Sequence, residues 1–150
     1  MSSSERLLTI ALLSAACCML GAPEGAAQQP APAAHRSTQA GVYSATQATR
    51  GQDLYAGMCK SCHTAASHTG VAFRKSWDGR SLSELFGYIS TKMPKNEPGS
   101  LAPEEYADVL AYLLKLNEMP EGAVELPADT TVLGAIRIDT RPAPSRPDKR

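Results

Sequence analysis

The chain has 150 residues, which is enough for one compact domain and short for two. Fifteen Lys and Arg residues balance fifteen Asp and Glu residues, so no global basic field attracts nucleic acid. The aromatic residues are one Trp, two Phe and five Tyr, which predicts a thin hydrophobic core. A buried cofactor would fill the centre of such a domain.

The first 27 residues are typical of a signal peptide. Arg6 precedes an apolar run over residues 7–20, and small residues at positions 25–27 favour cleavage before Gln28. The run is short for a membrane span, so a retained N-terminal anchor is the lesser alternative. The sequence therefore predicts a periplasmic or otherwise exported protein with no transmembrane segment after signal removal.

Two cysteines, Cys17 and Cys18, lie within this signal. Lipidation there is weakly supported, because the positions three residues earlier hold Ser and Ala where a lipoprotein signal favours Leu. Removal of the signal leaves Cys59 and Cys62. In an oxidising compartment such a close pair is a disulfide, a redox dithiol or an attachment site.

Residues 28–43 are rich in Ala, Pro, Gln and Ser without an apolar period, which predicts a flexible linker. A helical domain is then expected over residues 44–120. Its first helix would run from Ala45 to about Met58, after a possible capping box between Ser44 and Gln47.

Residues 64–80 are predicted to be a loop. Ser81 and Glu84 form a second capping box, followed by an amphipathic helix that ends before Met93 and Pro94. The third helix begins at Pro103, with acidic residues in its first turn and Ala102 as a poor N-cap. The fold class is therefore all-α, with about three main helices.

Residues 121–150 are predicted to be an extended C-terminal segment. Residues 131–138 are apolar and β-branched enough for one short strand lying along the domain surface. The last ten or so residues are rich in Pro and charge, which predicts disorder.

The pattern that carries chemistry is C-x-x-C-H, formed by Cys59, Lys60, Ser61, Cys62 and His63. Two intervening residues let both sulfurs form thioethers with the vinyl groups of one porphyrin, and the following His then faces the iron. The pattern indicates attachment of one c-type haem. The alternatives are a thioredoxin-like dithiol, which needs a βαβ context, and a zinc site, which needs further ligands nearby.

From residue 44 to residue 120 the chain resembles a class I cytochrome c, most closely the small single-haem bacterial cytochromes and the cytochrome subunits of dehydrogenase and oxidase chains. The matching features are Gly51 with Tyr55 four residues later, the C-x-x-C-H motif, Met93 followed by Pro, and a final amphipathic helix. The resemblance implies that the first and last helices cross at Gly51, with Val109 and Tyr112 as partner positions.

The resemblance also implies a sixth iron ligand, for which Met93 is the candidate. The alternative role for any Met is gap-filling in the core. Met58 adjoins the motif and Met119 ends the last helix. His68 is only five residues after His63, so we expect a solvent-exposed loop residue there.

Trp77 and Arg80 are weaker candidates for hydrogen bonds to the haem propionates. The slightly favoured alternative is a Trp that covers one haem edge and an Arg on the surface.

Charge is uneven along the chain. Residues 50–95 carry seven basic and three acidic side chains, whereas residues 96–129 carry eight acidic side chains opposed by Lys115. Lys60 and Lys92, with Lys95 as a weaker candidate, adjoin the two ligand segments and are predicted to face redox partner proteins. The alternative is ordinary solvated surface.

The sequence thus predicts an electron carrier and not an enzyme, because two strong axial ligands leave no open iron position. Three rivals remain: a permanent haem subunit of a larger dehydrogenase or oxidase complex, a haem gas sensor or peroxidase with a vacant sixth position, and a haem-free dithiol oxidoreductase.

Overall fold

The computed structural model describes residues 36–141. The predicted signal peptide, the first part of the predicted linker and the last nine residues lie outside this range. The elements in chain order are β1 (Arg36–Ser37), α1 (Ala45–Met58), α2 (Gly70–Trp77), α3 (Leu82–Lys92), α4 (Pro103–Leu116), α5 (Thr130–Gly134) and β2 (Ile136–Arg137). The all-α prediction is confirmed, and its three main helices are α1, α3 and α4. Within residues 36–141, no helix is both long enough and apolar enough to span a membrane.

Helices α1 and α4 pack directly against each other at Gly51. A Cβ atom at this position would overlap the carbonyl oxygen of Asp108 and lie 3.0 Å from the Cβ of Tyr112. Gly51 is therefore what allows the two backbones to approach. Of the two expected partner positions, Tyr112 lies at this contact, while Val109 lines a cavity described below.

We expect Gly51→Ala to destabilise the fold by about 1–3 kcal/mol, because the added methyl group meets backbone that cannot rotate away. Gly57→Ala is the matched control, since it lies in the same helix and its added Cβ would have no neighbour within 4 Å. The control should gain about 0.5–1 kcal/mol from helix propensity. Equal unfolding midpoints in urea for the two variants would contradict this account of the crossing.

The predicted loop over residues 64–80 is wrong in part, because residues 65–68 form a 3-10 turn and residues 70–77 form α2. The N-terminus of α2 has no side-chain cap, so the usual sequence signal is missing. The buried Phe73 and half-buried Trp77 hold this short helix against the domain.

Residues 36–43 and 121–141, which flank the three main helices, are also more structured than predicted. Val42 and Tyr43, in the predicted flexible linker, are 2% and 0% exposed. Residues 121–141, which we call the belt, bury Leu126, Leu133, Ile136 and Ile138. The predicted single strand is instead the short helix α5 followed by β2, which pairs in parallel with β1.

Side-chain hydrogen bonds fix the belt to α1. The Gln47 amide exchanges two hydrogen bonds with the backbone of Leu126, at 2.9 and 2.8 Å. Arg50 donates to both Asp108 of α4 and Glu125 of the belt, and these hydrogen bonds raise the pKa of its guanidinium. The belt is therefore part of the domain, not an appendage to it.

Candidate functional site

The C-x-x-C-H motif follows the C-terminal end of α1 as one tight turn. The backbone N–H groups of Cys62 and His63 both donate to the carbonyl oxygen of Cys59, at 3.1 and 3.0 Å. The turn is held to α1 because the backbone N–H groups of Cys59 and Lys60 both donate to the carbonyl oxygen of Tyr55, each at 2.9 Å. One tight turn of the backbone therefore carries both thiols and the imidazole.

The thiols lack the features of a redox dithiol. Burial raises the pKa of the Cys59 thiol, and the motif lies at the end of a helix whose dipole disfavours a thiolate. A reactive Cys-x-x-Cys pair instead has a lowered pKa, typically at a helix N-terminus. This geometry argues against the dithiol oxidoreductase, and no group of three or more metal-ligating His, Cys, Asp or Glu residues occurs within residues 36–141.

His68 is not the solvent-exposed loop residue that was predicted. It is half-buried, and its ring centroid lies 4.6 Å from that of His63 and 6.0 Å from that of Tyr55. The Asn117 side chain donates to the His68 carbonyl oxygen at 2.9 Å, which ties this turn to the end of α4. Burial, followed by the neighbouring His63, lowers the pKa of His68.

A mostly apolar cavity lies between α1, α3 and α4, with about 920 Å³ of space that includes its opening to solvent. All four candidate residues, namely Cys59, Cys62, His63 and Met93, line this cavity. The fold therefore brings together two segments that are 30 residues apart in the sequence.

Met93 is the C-cap of α3, and its backbone N–H donates to the carbonyl oxygen of Ile89 at 3.0 Å. Its carbonyl oxygen accepts a 2.7 Å hydrogen bond from the hydroxyl of Tyr106, a contact that sequence analysis missed. Met119 is 3% exposed and does not line the cavity, whereas Met58 does so but is 40% exposed.

Trp77 lines the cavity but Arg80 does not. The Arg80 guanidinium carbon lies 4.8 Å from the centroid of the Trp77 ring, and the same group donates to Glu84 at 2.8 Å. This arrangement favours the second of the two predicted roles, with Trp77 at the cavity and Arg80 on the surface.

Tyr55 supplies a polar atom that sequence analysis also missed. Its side chain lines the cavity and is 5% exposed, and its hydroxyl has no hydrogen-bond partner among residues 36–141. Burial is the main cause of its raised pKa, with smaller contributions from Cys59 and Tyr112. A buried hydroxyl without a partner is costly, so its presence in the wall is consistent with a bound group.

These residues fit a covalently bound haem. Two thiols spaced by two residues, an imidazole and a thioether share one apolar cavity, and this is the donor set that holds c-type haem. Cys59 and Cys62 would form the thioethers, and His63 and Met93 would be available to the iron. Apolar walls over such a site exclude water.

A small helical fold with these side chains around one cavity is typical of class I c-type cytochromes. In agreement, residues 46–113 match the family described as cytochrome c oxidase, cbb3-type, subunit III. Over these residues the match supports a class I c-type cytochrome domain. Neither the curated proteins nor the solved structures gave a significant match.

Proposed function

We propose that this protein is an exported, single-haem electron carrier with haem attached at Cys59 and Cys62 and iron ligated by His63 and Met93. The observation that carries the proposal is the shared cavity, which contains all four side chains. The sequence contains one C-x-x-C-H motif, which supports one haem per chain.

When bound, haem supplies an iron that gains and loses one electron. The chain contributes the surroundings that make this reversible. Leu85, Ile89, Val109 and Leu113 line the cavity with apolar side chains that keep water from the iron. His63 and Met93 would both be available to ligate the iron, and the thioether of Met93 would favour the reduced state. Oxygen and peroxide would then find no open coordination site.

Carbon monoxide distinguishes this carrier from a gas sensor or peroxidase. We expect the spectrum of the reduced, folded protein to be unchanged by carbon monoxide, because Met93 already occupies the sixth position. A carbon monoxide shift under native conditions would instead support the sensor or peroxidase.

The proposed chain organisation is a signal peptide over residues 1–27, followed by a haem domain whose three main helices lie within residues 44–120 and whose packing is completed by residues 36–43 and the belt. Export places the haem domain in the periplasm or outside the cell. A retained N-terminal anchor is the alternative, and protein sequencing of the mature N-terminus separates the two.

A permanent haem subunit of a larger oxidoreductase is the second candidate. The match to an oxidase subunit family and the well-packed belt both favour it. Gel filtration of native material decides between the two, because a free carrier elutes at the size of one chain.

Partner docking is proposed to involve Lys60 and Lys92. Both side chains are exposed and form no ion pair within residues 36–141, whereas Arg50 and Arg80 are neutralised by carboxylates. Lys60 lies inside the haem-binding motif, and Lys92 directly precedes Met93. Free positive charge beside both ligand segments favours an acidic partner surface.

We expect the double variant Lys60→Glu and Lys92→Glu to slow electron exchange with the natural partner by about tenfold or more at low salt. The effect should shrink as ionic strength rises, and the haem spectrum should not change. The control is Arg36→Glu with Arg137→Glu, which makes the same charge change on the β1–β2 pair. Equal salt-dependent slowing in both double variants would contradict a docking site at the lysines.

A further inference from the structure

The carbonyl oxygen of Met93 is held by a hydrogen bond that comes from α4 and not from the preceding helix α3. Helix α3 ends at Lys92, and Pro94, which has no backbone N–H, directly follows Met93. The carbonyl oxygen of Met93 accepts its 2.7 Å hydrogen bond from Tyr106, which is on the first turn of α4. Tyr106 is 4% exposed and also lines the cavity, so its side chain is held in place by packing, and its hydrogen bond to the partly exposed Met93 is part-buried.

We propose that Tyr106 is a positioning residue for the sixth ligand: its hydroxyl holds the Met93 backbone so that the thioether stays directed at the iron. The inference rests on the proposed function, in which Met93 is that ligand. Tyr106 itself need not touch the iron, since its hydroxyl acts on the backbone of the ligand.

The loop that follows Pro94 explains why the hydrogen bond from Tyr106 to Met93 matters. Residues 95–100, which follow Pro94, are exposed, and their backbone hydrogen bonds are turns within the loop, from Glu97 to Pro94 and from Ser100 to Glu97. Such local turns do not fix the loop to the rest of the domain. The Tyr106 hydroxyl joins the start of the loop to α4, the helix whose Val109 and Leu113 form part of the cavity wall.

A second tyrosine in the same domain provides a matched control. Tyr43 is 0% exposed, and its hydroxyl donates to the carbonyl oxygen of Met119 at 2.6 Å. The donor and the acceptor type are therefore the same as for Tyr106, although the Tyr43 bond is more deeply buried, and Met119 does not line the cavity. Each Tyr→Phe change removes one buried hydroxyl and leaves one Met carbonyl without that partner.

The test compares Tyr106→Phe, Tyr43→Phe and Met93→Ala as haem-loaded, full-length proteins. Two quantities are measured: the equilibrium affinity of the oxidised protein for added imidazole, which competes with the Met thioether, and the absorption band from the Met–iron bond. Thermal unfolding reports general destabilisation. We expect Tyr106→Phe to raise the imidazole affinity by about tenfold and to weaken the Met–iron band. Tyr43→Phe should unfold at a similarly lowered temperature with both ligation readouts unchanged.

The outcomes separate this inference from the function on which it rests. If Met93→Ala raises imidazole affinity but Tyr106→Phe behaves like Tyr43→Phe, the positioning role is overturned and the ligand assignment stands. If Met93→Ala changes neither ligation readout, the ligand assignment is overturned and the positioning role falls with it.

Discussion

Replacing both Cys59 and Cys62 with Ser abolishes covalent haem attachment, and the haem-free domain is expected to be largely unfolded. The thioethers need the two sulfurs, and Ser cannot supply them. Both cysteines line a cavity with apolar walls, and without haem those walls face water instead of a partner. Each single variant should retain a weaker, single attachment. Haem stain after denaturing electrophoresis measures attachment, and far-ultraviolet circular dichroism measures helix content.

Ser61→Ala is the control for the double Cys variant. Ser61 lies between the two cysteines and is exposed, so its replacement changes the motif without removing a sulfur. It should keep its haem and its helix content. A double Cys variant that is compact, helical and free of haem would contradict the claim that haem completes the core.

The second large effect is expected from Met93→Ala. Covalent haem should remain, because the thioethers are untouched, but the iron should lose its sixth ligand. We expect a lower reduction potential, since a Met ligand raises it, and more than about tenfold tighter binding of imidazole or carbon monoxide, since no internal ligand then competes. Potentiometry and ligand titration measure the two effects.

Met119→Ala is the control for this variant. Met119 is 3% exposed and lies outside the cavity lining, so its loss should cost roughly 2–5 kcal/mol of stability by leaving a void. Its reduction potential and ligand affinity should stay at the wild-type values. The reverse pattern, with ligand binding opened by Met119→Ala and not by Met93→Ala, would show that the ligand assignment is wrong.

The sequence predicted where a helix begins when the capping hydrogen bonds join residues close together in the sequence. Ser81 and Glu84 form the predicted reciprocal capping box, and α3 begins where it should. At α1 the prediction is only half right: Ser44 accepts from the Gln47 N–H, but the Gln47 side chain bonds Leu126 of the belt instead. A contact across 79 residues cannot be deduced from a four-residue pattern.

The same division between local and distant contacts applies to the site. The motif at residues 59–63 and the Met-Pro pair were evident because each is a short pattern. Tyr106 belongs to no such pattern, because its hydroxyl reaches the Met93 carbonyl oxygen from α4, 13 residues further along the chain. His68 was misplaced because the Asn117 bond that draws its turn inward is also distant in the sequence.

The central claim is that one haem is covalently bound to this chain. Its most direct test is a pyridine haemochrome assay on the exported, purified protein, combined with the mass of the intact chain. The account predicts a c-type haemochrome spectrum, one haem per chain, and a mass increased by one haem that persists after denaturation. A chain of unmodified mass, with both thiols free to react with alkylating reagent, would contradict it.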